Sequence, residues 1–275
     1  ILTELSIGKI FLAGVLPGLL LTTLFCLYVL AMAILKPEVV GSGSESVVEA
    51  VDKVPPGQFF TSLFGIVVVI VAVLGGIWFG LFSPTEGAGV GALLGLILGL
   101  VKGMRYKDII DSILSVGRTS GPILLLLVTA ALYSNTLAMT GLANAIEGLF
   151  LESGMKSWMI IFVMVFIWFL LGMIIDSISI MLLTAAIFAP IAVKLGYDPL
   201  AFAIIGIIAI EAGLLTPPFG LLVYTVKSAI LSLDPDVNVM TIFKSSTPYW
   251  IIMLIGMILI IIFPQIATYL PKILF

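Results

Sequence analysis

The chain has 275 residues, of which 61% are hydrophobic and 10% are charged, and its formal net charge is −3. Soluble domains carry roughly 25% charged residues, so this composition and a mean hydropathy of +1.33 predict a polytopic membrane protein. The small net charge and the lack of a basic stretch exclude nucleic acid as a partner, and we expect membrane lipid instead.

Histidine is absent from the sequence, and Cys26 is the only cysteine. Imidazole therefore cannot serve as a ligand or general base, and thiols cannot build a disulfide framework or a metal site. The sequence also lacks a nucleophile–base pair and a Gly-rich phosphate loop after a strand. We predict that the protein is not an enzyme and has no cofactor.

In chain order, the sequence predicts four regions. Residues 1–58 hold a first span and a polar linker, and residues 59–118 hold two spans and an amphipathic helix at the interface. Residues 119–232 form a core with a hairpin and a broken helix, and residues 233–275 hold a loop and the final span. The chain opens at Ile1 without a charged leader, which we interpret as part of a longer polypeptide.

Two features of the second region predict helix packing. The run Ser83-Pro84-Thr85-Glu86 is typical of the first turn of a helix. Glycines recur two or four residues apart after it, as at Gly87 and Gly91, and small residues at that spacing let helices approach closely in lipid.

The polar triplet Ser134, Asn135 and Thr136 interrupts an apolar stretch over residues 121–150. The two flanking apolar pieces are each too short to span, which predicts a re-entrant hairpin with this triplet at its apex. The alternative is one ordinary helix that tolerates the polar side chains.

The run Thr216-Pro217-Pro218 predicts a broken helix inside an apolar stretch, with unwound backbone between Gly213 and Gly220. Lipid cannot satisfy the backbone groups that such a break exposes, so protein or a water-filled cavity must cover it. Secondary transporters build ion and solute sites from broken helices of this kind. Transport is therefore the leading functional hypothesis.

Two acidic residues stand in apolar surroundings. Asp176 lies in the run over residues 158–189 and is either a functional carboxylate or a solvated residue at a helix junction. Glu211, one turn before the break, could accept freed backbone donors, bind a cation or pair within the bundle. Lys194, near the end of a span, is expected to extend to the interface.

The available oxygen ligands suit sodium, a hard cation, and the amides at half-helix N-termini suit an anionic solute. A proton carried by Asp176 or Glu211 could replace sodium. We predict sodium contacts from Asn135, Gly213 and Thr216. The full set of candidate ion- and substrate-binding residues is Ser134, Asn135, Thr136, Gly172, Asp176, Glu211, Gly213, Thr216, Pro217, Pro218 and Gly220.

Four ordered motifs resemble the large membrane subunit of tripartite ATP-independent periplasmic (TRAP) transporters. Residues 211–220 resemble its signature near the C-terminus, and residues 82–88 resemble its Thr-Pro-Thr-Glu element. Residues 172–176 resemble its Gly-Met-Phe-Leu-Asp element, and residues 6–18 resemble the segment just after its first half.

The resemblance implies an all-α fold that is half of an inverted-repeat, elevator-type transporter, here the C-terminal half. It further implies sodium-coupled import of an organic anion of the carboxylate class across the bacterial inner membrane. The expected partners are a periplasmic substrate-binding protein, a small membrane subunit and the missing N-terminal half. On this template Ser134 falls in the second hairpin, Asp176 faces the site, and residues 213–220 form the second broken helix.

Two other functions remain open at this point. Ala209 and Leu222 stand where the family commonly has asparagine, and only half of the expected site is present. These departures favour a membrane scaffold or accessory subunit that has lost transport. A relative in the wider group of ion transporters that needs no binding protein is the third hypothesis, which the Ser134-Asn135-Thr136 triplet would suit.

Overall fold

The structure is a computed structural model that describes residues 5–37, 56–230 and 237–274. All regular secondary structure within these ranges is helical, which confirms the predicted all-α class. The helices are α1 Ile7–Ala13, α2 Val15–Leu35, α3 Pro56–Trp78, α4 Pro84–Val101, α5 Tyr106–Thr140, α6 Leu142–Leu151, α7 Ser157–Gly172, α8 Ser177–Lys194, α9 Pro199–Leu214, α10 Leu221–Ile230, α11 Val239–Ile262 and α12 Gln265–Leu274. Most of the predicted polar linker and the predicted loop at residues 234–236 lie outside the described ranges.

In the described part of the chain, five helical stretches are long and apolar enough to cross a membrane: Ile7–Leu35, α4, α5, α8 and α11. Their outer surfaces are apolar as well; Leu124, Leu125 and Val128 on α5 are 61%, 66% and 59% exposed. Such surfaces suit hydrocarbon rather than water, so the chain is a polytopic membrane protein.

One compact unit comprises residues 1–22 and 120–273. Helix α9 lies at its centre and packs against α1, α7, α8 and α11. Most residues of α9 are buried because aliphatic side chains cover its whole circumference, as expected for a helix surrounded by others. The surrounding core includes Met164, Ile180, Ile205 and Ile260, all nearly inaccessible.

The second unit, residues 23–119, contains the helix pair α3 and α4. The predicted helix start is confirmed: the Ser83 hydroxyl accepts a hydrogen bond from the Glu86 amide, while the Glu86 carboxylate accepts one from the Ser83 amide at 2.8 Å. This reciprocal cap satisfies two free amides. A Cβ on Gly87 would lie 2.9 Å from Ile77, so the predicted close packing is also found.

The predicted hairpin apex is wrong in position. Helix α5 runs without interruption through Ser134, Asn135 and Thr136, and the chain leaves the helix only at Gly141, whose φ is +70°. The Thr136 hydroxyl donates to the Leu132 carbonyl at 2.8 Å, which satisfies the side chain inside the helix. At the triplet the helix tolerates the polar residues, but residues 121–150 are not one helix, because α5 and α6 are separated at Gly141.

The amphipathic stretch that begins after Lys102 is continuous with the same helix. Helix α5 starts at Tyr106 and passes Arg118 and Pro122 without a break. The helix therefore combines the predicted interfacial segment and the first apolar piece of the predicted hairpin in 35 residues.

Candidate ion and solute site

The predicted break is present between α9 and α10. Helix α9 ends at Leu214, residues 215–220 are not helical, and α10 begins at Leu221; the peptide bond between Pro217 and Pro218 is cis. The break follows from the sequence, because proline has no amide to donate and its ring clashes with the preceding turn.

The two prolines determine which carbonyl groups lose their partners. The residues three and four positions after Leu214 are Pro217 and Pro218, which have no amide hydrogen, and no other described residue donates to the Leu214 carbonyl. Leu214 is only 5% exposed. A buried carbonyl oxygen without a donor is costly unless another ligand reaches it, so this oxygen can coordinate a cation.

Thr216 is buried beside this carbonyl. Its amide donates to the Gly213 carbonyl at 2.8 Å, and its hydroxyl donates to the Ala212 carbonyl at 2.7 Å. The Gly213 carbonyl, one of the predicted sodium ligands, therefore already accepts a hydrogen bond. The Thr216 hydroxyl still has its lone pairs, because it acts as a donor in its one hydrogen bond.

The start of α10 offers groups of the opposite polarity. Within the described ranges, the amides of Leu221 and Leu222 donate no hydrogen bond, and the carbonyls of Pro218 and Phe219 accept none. Free amides at a helix N-terminus attract anions. The break thus presents carbonyl oxygens and amide hydrogens within a few residues of each other.

Helix α11 fixes the geometry of the break. The Ser246 hydroxyl donates to the Leu215 carbonyl at 3.2 Å and to the Phe243 carbonyl at 2.9 Å. Gly220 has a φ of +52°, and a Cβ at this position would lie 2.4 Å from Cε1 of Phe243. Only glycine satisfies both the left-handed backbone and the close approach of the ring.

Gly172 and Gly213 lie where α7 crosses α9. A Cβ on Gly172 would be 2.5 Å from the Ile210 carbonyl oxygen, and one on Gly213 would be 2.4 Å from the Phe169 carbonyl oxygen. Both residues were predicted to bind an ion or substrate. The structure gives them a packing role, since two helix backbones are in direct contact there.

Asp176 lies at the helix junction between α7 and α8. It is the N-cap of α8, where its carboxylate accepts a hydrogen bond from the Ser179 amide at 3.0 Å, and it is exposed in this chain. Glu211 is half-buried on α9 and has no hydrogen-bond or ion-pair partner among the described residues.

A partly open cavity of about 680 Å³ lies between α8 and α9. Ser134 is the only predicted site residue that lines it; Asn135 and Thr136 are exposed on α5. The lining on α9 ends at Ile210, before the break. Of the three polar residues, the structure therefore brings one to the cavity and none into hydrogen-bond contact with Thr216.

The floor of this cavity contains a buried polar pair that the sequence analysis missed. The Trp168 indole donates to the Thr184 hydroxyl at 2.7 Å, which in turn donates to the Ile180 carbonyl at 2.7 Å. The Trp168 ring fills the space at Gly206, where a Cβ would be 2.6 Å from its Cζ3. The available signal was a tryptophan in the middle of an aliphatic span, since a buried indole usually requires an acceptor.

Lys194 forms an ion pair with Glu147 that joins the end of α8 to α6. The lysine side chain is 56% exposed, whereas the Glu147 side chain is 16% exposed. Lys194 also lines one end of the cavity. Its position agrees with the expectation of a cation near the end of a span.

The fold defines a polytopic α-helical membrane protein with a broken helix. The family model described as "Tripartite ATP-independent periplasmic transporter, DctM component" matches residues 1–266. The chain belongs to this family, which confirms the resemblance of the four motifs.

Curated relatives support the same assignment. The chain is 29% identical over 276 residues to a C4-dicarboxylate TRAP transporter large permease protein, DctM, of Pseudomonas aeruginosa, covering 98% of this chain and 61% of the relative. It is 29% identical over 281 residues to the ectoine/5-hydroxyectoine TRAP transporter large permease protein UehC of Ruegeria pomeroyi, covering 100% and 62%.

A third relative is the sialic acid TRAP transporter permease protein SiaT of Haemophilus influenzae, with 27% identity over 271 residues. The match covers 98% of this chain and 42% of the relative. The chain therefore spans about three fifths or less of the length of these relatives.

Proposed function

We propose that this chain is part of the large permease of a TRAP transporter and contributes to the import of an organic anion across the inner membrane, coupled to sodium. The observation that carries the proposal is the break over residues 215–220, with an unpartnered, buried Leu214 carbonyl on one side and free amides at Leu221 and Leu222 on the other. The periplasmic binding protein and the small membrane subunit are proposed partners.

The cation side of the site consists of oxygen atoms at the end of α9. The Leu214 carbonyl and the lone pairs of the Thr216 hydroxyl are the first ligands, and they suit a hard cation. The negative end of the α9 dipole adds to the attraction. The Gly213 carbonyl accepts one hydrogen bond and keeps a second lone pair, so it stays a predicted ligand, and Asn135 is a predicted ligand from outside the break.

The anion side is the N-terminus of α10. A carboxylate of the solute accepts from the Leu221 and Leu222 amides, and the positive end of the helix dipole favours its charge. A cation bound at the end of α9 then neutralises part of the solute charge, so each ligand strengthens the binding of the other. Two of the relatives are named for a dicarboxylate and for sialic acid, which fits a carboxylate solute.

The experiment is uptake by proteoliposomes that contain the complete transporter encoded with this chain. Labelled C4-dicarboxylate, sialic acid or ectoine is supplied with and without the purified binding protein, under a sodium gradient or an equal potassium gradient. Uptake of one of these solutes that requires both the binding protein and sodium is the expected result. An assembled complex that moves none of them favours the scaffold hypothesis, and uptake driven by a proton gradient alone rejects sodium.

Thr216→Val tests the cation site directly. The variant should raise the sodium concentration that gives half-maximal uptake by about tenfold, because one ligand is lost at a buried site. Thr129→Val is the matched control: Thr129 makes the same kind of hydrogen bond to a carbonyl four residues earlier, but it is exposed on α5. Equal sodium dependence in both variants would argue against Thr216 as a ligand.

A further inference from the structure

The cavity between α8 and α9 has the dimensions of one lipid acyl chain. Along α8 it extends from Met181 to Lys194, about 20 Å at the rise of an α-helix, and along α9 from Pro199 to Ile210, about 17 Å. One leaflet contributes about 15 Å of hydrocarbon. The lining is mostly apolar, with small residues such as Ala186 and Ala203 on the two helices, and encloses about 680 Å³.

The polar groups of the lining favour an apolar occupant. Besides Lys194, the polar side chains of the lining are Ser134, Trp168 and Thr184. The Trp168 indole and the Thr184 hydroxyl already form a chain of hydrogen bonds that ends at the Ile180 carbonyl, which leaves the Ser134 hydroxyl. A dicarboxylate or a sugar acid in this slot would lose its hydration and find few free donors. A hydrocarbon chain has no hydrogen bonds to water to lose, and it covers the apolar side chains of the walls.

The single cation of the lining, Lys194, is at one end of the slot, and its ammonium is exposed. It can donate to more than one acceptor at a time, so the ion pair with Glu147 leaves further donors for a phosphate. Lysines near the ends of spans extend to the level of the headgroups. We propose that this slot holds an acyl chain of a membrane phospholipid, with the lipid phosphate beside Lys194.

Native mass spectrometry of the complete transporter, purified in a mild detergent, tests the proposal. Ala186→Trp should fill the slot and reduce the fraction of protein with a retained phospholipid at least fivefold. Leu183→Trp places the same side chain on the exposed face of α8 that does not line the slot and should leave retention unchanged. Lys194→Gln should weaken retention about fivefold, the effect of removing one lysine near a lipid headgroup.

A second measurement does not require a large substitution. In vesicles of phospholipids with brominated acyl chains, contact quenches tryptophan fluorescence, and the difference between the wild type and Trp168→Phe gives the signal of Trp168. We expect this signal to be quenched although Trp168 is only 5% exposed, because the chain in the slot contacts its ring.

Unchanged retention in Ala186→Trp or an unquenched Trp168 overturns the proposal. An unquenched Trp168 would mean that polypeptide or a polar solute occupies the slot instead. The result is independent of solute uptake, which the proteoliposome assay measures separately. Failure of either idea therefore leaves the other intact.

Discussion

Gly172 on α7 and Gly213 on α9 meet with their backbones in contact: a Cβ on Gly213 would lie 2.8 Å from Cα of Gly172. The contact holds the end of α9 at a fixed distance from α7, immediately before the break. Neither glycine has a side chain, which is what allows this close approach, and the predicted sodium contact of Gly213 would be made by its carbonyl.

Gly213→Ala should lower the free energy of unfolding by about 1–3 kcal/mol, because the added methyl group meets the Phe169 carbonyl, which belongs to a rigid helix. Thermal unfolding in detergent measures the effect. Gly148→Ala on α6 is the control, since nothing lies within 4 Å of its Cβ, and there alanine should stabilise the helix by up to about 1 kcal/mol. Similar unfolding temperatures for the two variants would contradict a close α7–α9 crossing.

Gly220→Ala should be more destabilising than Gly141→Ala. Both positions have positive φ, +52° and +70°, and a non-glycine residue there costs about 1–2 kcal/mol. Only Gly220 also meets a ring, that of Phe243, whereas Gly141 has open space. The difference in unfolding free energy between the two variants measures the cost of the contact with the ring. Phe243→Leu in the Gly220→Ala background should recover part of the lost unfolding free energy. If the second substitution recovers nothing, the ring does not restrict this position.

Two substitutions of Asp176 should separate its role as a helix cap from any role of its charge in transport. Asp176→Ala removes the N-cap of α8 and should cost about 0.5–2 kcal/mol, whereas Asp176→Asn preserves the cap within a few tenths of a kcal/mol. Solute uptake by Asp176→Asn then reports the charge alone. Loss of uptake at unchanged stability assigns the carboxylate to ion or solute binding, and wild-type uptake restricts it to capping.

Substitutions at Trp168 and at Thr184 should differ in their effect on buried hydrogen bonds. Thr184→Val leaves the buried indole without an acceptor and should cost about 1–3 kcal/mol. Trp168→Phe leaves no buried polar side chain without a partner, because the Thr184 hydroxyl retains its hydrogen bond to the Ile180 carbonyl. In a double-mutant cycle the two substitutions should be non-additive by about 1 kcal/mol. Additive costs would show that the hydrogen bond does not couple the two residues.

Lys194→Gln should change the unfolding free energy by less than about 1 kcal/mol, because an ion pair with an exposed lysine contributes little in water. The same variant is expected to alter lipid retention, so stability and retention should respond differently. A large loss of stability would instead identify the contact with Glu147 as a structural link between α6 and α8.

Local sequence signals predicted the parts of the fold that depend on neighbouring residues. The break after Leu214 follows from two adjacent prolines, and the start of α4 follows from Ser83 and Glu86, three residues apart. Both are consequences of backbone hydrogen bonding within one or two turns. The proline spacing also identifies the unpartnered Leu214 carbonyl, which was not among the residues predicted from the sequence.

Features that depend on contacts between helices, or on how a polar side chain is satisfied within a helix, could not be predicted from local sequence. Polar residues 134–136 resemble an apex, yet Thr136 satisfies its hydroxyl within the helix, and the actual boundary is the left-handed Gly141. The partnership of Trp168 with Thr184 joins two helices and has no local pattern. The binding roles proposed for Asn135, Asp176 and Glu211 remain predictions, and uptake by Asp176→Asn tests the second of them.

Ser246 donates to the Leu215 carbonyl, and the neighbouring Phe243 ring occupies the space over Gly220. These contacts connect the end of α9 and the start of α10, on both sides of the break, to the N-terminal third of α11. If the proposed transport involves movement of this region, these three pieces should move as one rigid body, with the hinges in the segments outside them.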